Sequence, residues 1–134
     1  MDKDKMLDWI CAPTDVSKYQ GYVYIITNKI TDKYYIGKKF FHSKRVRKPL
    51  KGKKNKRHYV VESDWKTYYG SSNNLLADIE LYGVQNFERR ILMLCLDKFD
   101  CAYYELKEQM DRNVLFDNKS YNEIINVRLR KRKV

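Results

Sequence analysis

Within residues 21–45 the chain carries Tyr24, Tyr35, Lys38, His42 and Arg45, side chains of types that can work on an anion. A phenol holds or passes a proton, an imidazole titrates near neutrality, and a lysine or guanidinium grips an oxyanion. Arginine suits that grip best, because its planar fork is permanently charged and can bind two oxygens at once. Hydrolysis of a phosphodiester needs such a set: a base for the attacking water, cations for the non-bridging oxygens, and help for the departing oxygen. With 12 tyrosines in the chain, a pair alone is also what two half-buried strands would show, so the ordered set carries the weight.

The elements that must position these residues are legible nearby. Residues 22–27 alternate aromatic and β-branched types, residues 34–39 do the same, and the polar stretch 28–32 between them reads as a turn, so the pair is expected as a β-hairpin. Tyr22, Tyr24 and Ile26 then share one face of the first strand, while Tyr35, Gly37 and Lys39 alternate with Tyr34, Ile36 and Lys38 on the second. Residues 74–82 place Leu75, Ile79 and Tyr82 at helical spacing, with Ser71 or Ser72 to cap the start and Gly83 to stop the end. The apolar run 87–96 predicts a third strand. Asp100 is expected to cap a second helix in which Tyr103, Leu106 and Met110 form the apolar stripe, leaving Glu105 and Glu108 on another face.

Val23-Tyr24 followed by Tyr35-Ile36-Gly37 resembles the paired motif of the GIY-YIG nuclease family. Arg45 stands ten positions after Tyr35, where that family has its arginine, and Lys38 directly follows the glycine, as in several of its members. Tyr22 and Val23 depart from the family's usual glycine and isoleucine, but the tyrosine is the chemical letter. The later helix with its glutamate and the pair Tyr121-Asn122 follow in the family's order. What the resemblance implies is an α/β (α+β) fold with a small central antiparallel three-stranded sheet flanked by helices. It further implies a Mg²⁺-dependent (or Mn²⁺-dependent) DNA endonuclease. Glu105, with Glu108 as the alternative, would be the metal ligand, Arg45 would grip a phosphate oxygen, and Tyr35 and Asn122 would complete the site. Tyr24 is the family's candidate base and His42 the rival. A free phenol is almost wholly protonated at neutral pH, so a base role for Tyr24 requires cations such as Lys38 and Arg45 beside it, or proton transfer concerted with attack.

Composition bounds the rest. The 134 residues, 43% of them hydrophobic, suit a single domain, with an N-terminal extension at 1–20 that lays Leu7, Trp9 and Ile10 over the core edge. The net charge of +11 is unevenly placed: residues 44–58 hold nine lysines and arginines with no acid, and residues 128–134 form a basic tail. Pro49, Gly52 and Asn55 deny the first run a helix, and it is expected as a mobile loop. Its cations Lys44, Arg47, Lys48, Lys51, Lys53, Lys54, Lys56 and Arg57 begin beside Arg45, which favours the phosphate backbone of a nucleic acid, double-stranded DNA foremost, as the partner. Three cysteines with no signal-like segment suggest a reducing, cytoplasmic setting, and their spacing with His42 and His58 matches no usual zinc pattern. No apolar run is long enough to span a membrane, and no obligate protein partner is evident. A small stand-alone nuclease of phage, homing or restriction type is the expectation. A catalytically silent nucleic-acid-binding protein and an RNA-directed nuclease stand as the alternatives.

Overall fold

The computed structural model describes residues 7–131, so the first part of the extension at 1–20 and the last part of the tail at 128–134 lie outside the described residues. In chain order the elements are β1 (Gly21–Asn28), β2 (Tyr34–Phe40), β3 (His42–Arg47), β4 (Arg57–Glu62), α1 (Asn73–Tyr82), β5 (Phe87–Cys95) and α2 (Lys98–Asp111), with short 3₁₀ turns between. A three-stranded antiparallel sheet in the order β2-β1-β5 is flanked by the two helices, the α+β arrangement expected from the sequence.

The central strand β1 is the most apolar stretch because it is covered on both faces. On one face Tyr22, Tyr24 and Ile26 pack with Trp9, Phe41, Trp65, Leu75, Phe87 and Ile91. On the other, Val23 and Ile36 meet Cys101 of α2 and Val114 beyond it. The turn from β1 to β2 is closed by Asn28, whose Oδ1 accepts the backbone N–H groups of Ile30 and Thr31, as a turn-forming amide does. Opposite Val23 and Tyr24 the pairing with β5 shifts by one residue, a bulge that falls beside the tyrosine of interest.

Helix α1 starts where its sequence signals: the Ser72 hydroxyl accepts from the Leu75 N–H, and Gly83, at φ 93°, ends the helix. Helix α2 differs from expectation in two ways. Its cap is Asp97, which accepts from the Asp100 N–H, and Asp100 sits in the first turn. The stripe of Tyr103, Leu106 and Met110 is not the buried one: Cys101 and Gln109 face inward with Glu105 beside them, while Tyr103 and Met110 are exposed. Residues 101, 105 and 109 share a helical spacing as good as that of the apolar stripe, and the sheet selects this face because Gln109 Nε2 can donate to the Ile36 carbonyl.

The basic segment 44–58 is also corrected. It is not an unstructured loop: β3 and β4 pair over six residue positions from His42↔Glu62 to Arg47↔Arg57, forming a separate antiparallel ribbon whose tip turns at 48–56. Its strands contain Val46, Tyr59, Val60 and Val61, which suit a ribbon even among cations. The N-terminal segment adds a short bridge at the far edge of the sheet, Ile10 pairing with β5 through N–H and carbonyl bonds at Arg89 and Ile91. Among the described residues no helix is long and apolar enough to cross a membrane.

Candidate active site

The site wraps around β2, the edge strand. Tyr24 and Tyr35 reach it from one face, and Lys38 and Glu105 from the other; all four line one cleft together with Tyr68, Ser71, Gln109 and Asn122. An edge strand permits this, since groups on both faces can meet where no further strand follows.

Tyr24 is fixed by its surroundings. It is 1% exposed, its ring lies 6.2 Å from that of Tyr35 and 6.1 Å from that of Tyr68, and Trp9 packs edge-on behind it. Its cross-strand partner is Gly37. A Cβ there would come within 2.5 Å of the Tyr24 hydroxyl oxygen, so the motif glycine makes room for the tyrosine ring. Gly70, at φ 86°, closes the other side, with its absent Cβ only 3.4 Å from the Tyr24 hydroxyl.

The electrostatics of the tyrosines run against an easy base. Burial pushes the Tyr24 phenol well above its ordinary pKa, and the neighbouring Tyr68 hydroxyl adds to the shift. Tyr35 is also raised by burial, although a hydrogen bond with Ser71 works in the opposite sense. Arg45 does not stand beside Tyr24: it is exposed on β3 and lines an adjoining groove with His42, Lys44 and Lys98. Lys38 borders both clefts. His42 lies outside the tyrosine cleft, and its Nε2 meets the Val16 carbonyl at 3.0 Å.

Glu105 projects from the inward face of α2 with its side chain 13% exposed and pairs with Lys38 at 3.4 Å. Burial raises the Glu105 carboxyl, and the lysine offsets part of that rise. Glu108, the alternative, points elsewhere and pairs with Arg112 one turn on. One turn beyond Glu105, the buried Oε1 of Gln109 has no hydrogen-bond partner among the described residues. The oxygen donor set of Glu105 with a spare amide oxygen close by suits a hard divalent cation that keeps most of its waters. Asn122 is buried and binds the backbone of Ile36 twice, accepting its N–H at 3.0 Å and donating to its carbonyl at 2.8 Å. It thereby takes the place of a further strand, holding Ile36 and Gly37 in line. Tyr121 beside it donates to Asp78 of α1 at 2.7 Å.

Tyr68 and Gln109 also line the cleft, and sequence reasoning gave neither a catalytic role. Tyr68 lies in an aromatic stretch whose sequence leaves packing on the sheet and stacking on bases both open, and it packs, with the Lys39 ammonium 4.2 Å from its ring centroid. Gln109 carried one usable signal, its position four residues after Glu105 on the same helical face.

The three-stranded antiparallel sheet with its two helices is consistent with a GIY-YIG nuclease domain. The family described as "Putative endonuclease segE, GIY-YIG domain" matches residues 9–125, and the chain belongs to it. No curated protein and no solved structure matches the chain.

Proposed function

We propose that the protein is a Mg²⁺-dependent endonuclease that hydrolyses phosphodiester bonds of DNA in the Tyr24–Glu105 cleft. The observation that carries this reading is the meeting of Tyr24, Tyr35, Lys38 and Glu105 around one strand edge, with a carboxylate and an amide oxygen that has no hydrogen-bond partner among the described residues available to a hydrated cation. Bound there, the cation would supply charge neutralisation to the phosphate and the leaving oxygen. The chain's own residues do the rest. Glu105 would hold the ion, and Lys38 moves from the carboxylate toward the incoming phosphate oxygen, exchanging one anion for another. Tyr35, turned toward Ser71, orients the phosphate by hydrogen bonding. Tyr24 enters as a neutral phenol, so it accepts the proton of the attacking water only by passing its own hydroxyl proton to a non-bridging phosphate oxygen as the new oxygen–phosphorus bond forms. Arg45 acts from the adjoining groove on a neighbouring phosphate, and Asn122 keeps the edge of β2 straight.

Supercoiled plasmid incubated with Mg²⁺ or with EDTA tests the reading. Nicked or linear product should need both Mg²⁺ and Glu105. A plasmid that is bound and shifted yet intact in Mg²⁺ would overturn it in favour of a silent binding protein.

A further inference from the structure

The ribbon of β3 and β4 is the largest feature that the cleft does not use. It stands as its own two-stranded sheet, and its base is clamped to the core. Ser63 donates to the carbonyls of Phe41 and Phe40 at 2.7 and 2.6 Å, and Trp65 Nε1 donates to Glu62 at 2.9 Å. Its tip carries cations and its only acid, Glu62, is at the base. The register sorts its side chains: Arg45, Arg47, Arg57 and Tyr59 share one face, while Lys44, Val46, His58 and Val60 share the other. The Arg47 guanidinium carbon lies 4.3 Å from the Tyr59 ring centroid, a contact that restrains the guanidinium before any ligand arrives. Arg57 Nε donates to the Lys48 carbonyl at 3.3 Å and is held in the same way. Val46 and Val60 are 53% and 63% exposed.

We propose that this ribbon enters the major groove of duplex DNA, with Arg47 and Arg57 reading base edges while the cations of the tip hold the backbone. The inference rests on the nuclease reading for its substrate and goes beyond it in naming the duplex, the groove and the residues. The major groove, about 12 Å wide, admits a two-stranded ribbon, and there arginine binds the N7 and O6 acceptors of guanine bidentately. An A-form RNA duplex has a major groove too deep and narrow for such an element. A single strand would call for aromatic platforms, and Tyr59, the ribbon's one tyrosine, is already covered by Arg47.

The test measures binding, with Ca²⁺ replacing Mg²⁺, of the full chain to a short mixed-sequence DNA duplex. Methyl green, which occupies the major groove, should displace the protein, and netropsin, which occupies the minor groove, should not. Duplex RNA of the same sequence should bind at least about tenfold more weakly. Replacing guanine by 7-deazaguanine removes the N7 acceptor and should weaken the wild type, whereas the Arg47→Lys/Arg57→Lys variant, charged but without the forks, should not respond. Displacement by netropsin alone, equal affinity for RNA, or indifference of the wild type to 7-deazaguanine would each overturn the proposal. The outcome is separable from the nuclease assay. A ribbon that binds as described in a protein that leaves plasmid uncut defeats only the nuclease reading, and a cutting protein displaced by netropsin defeats only the ribbon.

Discussion

If Glu105 holds a cation as proposed, chemistry and stability conflict there. Burial raises its carboxyl above the ordinary glutamate value, so folding favours the protonated form. Its contribution to stability is therefore complete below the unfolded value of about 4.3 and is lost as pH rises through the raised folded value. A cation needs the ionised form, so cleavage should gain an acid limb lying above the usual glutamate range, visible in a pH profile of kcat/KM. Glu105→Gln should lose cleavage by on the order of 10³-fold while DNA affinity changes little, and it should melt no lower than the wild type at neutral pH. A variant that still cuts would remove Glu105 from the scheme. Gly37→Ala is the companion case on the opposite side of the strand. Its methyl group would press into the buried Tyr24 hydroxyl, and both melting temperature and activity should fall. The motif letters were legible here because tyrosine spacing survives in one dimension. Which way Arg45 points was not, because that depends on β3 pairing with β4 rather than continuing the sheet.

At the scale of elements, the cap of α1 offers a clean measurement. Ser72→Ala removes the bond to the Leu75 N–H and should cost about 1 kcal/mol, or roughly 3–5 °C in melting temperature. An unchanged melting curve would mean that the cap bond is replaced by water. The three sheet strands and α1 were readable from alternation and capping signals. The inward face of α2 was not, because Glu105 and Gln109 are polar and the more apolar stripe of Tyr103 and Met110 is turned to solvent. Burial there follows what the sheet can satisfy: the Ile36 carbonyl accepts from Gln109 and Asn122 together. The ribbon was misread for a related reason. Charge density and Pro49 and Gly52 argue for a loop, and only pairing between residues 44 and 60, far apart in sequence, makes strands of the ends.

For the whole molecule, the charge of +11 should make association strongly dependent on salt. With the ribbon's cations engaged, affinity for duplex DNA should fall about 10³-fold or more between roughly 50 and 200 mM salt. A shallow slope would mean that the cations are solvated bystanders. Composition alone gave this much about the partner. The cleft needed the fold, since Tyr24, Glu105 and Asn122 are brought together from opposite ends of the chain.

Arg89 shows what that assembly entails. It is 2% exposed, and its guanidinium lies between the rings of Trp9 and Tyr69, donating to the carbonyls of Leu7, Lys66 and Tyr68. One cation thus ties the start of the chain, the segment that walls the tyrosines, and β5 into a single unit. A ribosome delivers Tyr24 and the basic ribbon long before Arg89, Glu105 and Asn122. The wall of the tyrosines is therefore complete only once Arg89 is buried, and Tyr24 and the basic ribbon precede on the chain the two residues, Glu105 and Asn122, that join Tyr24 in the cleft.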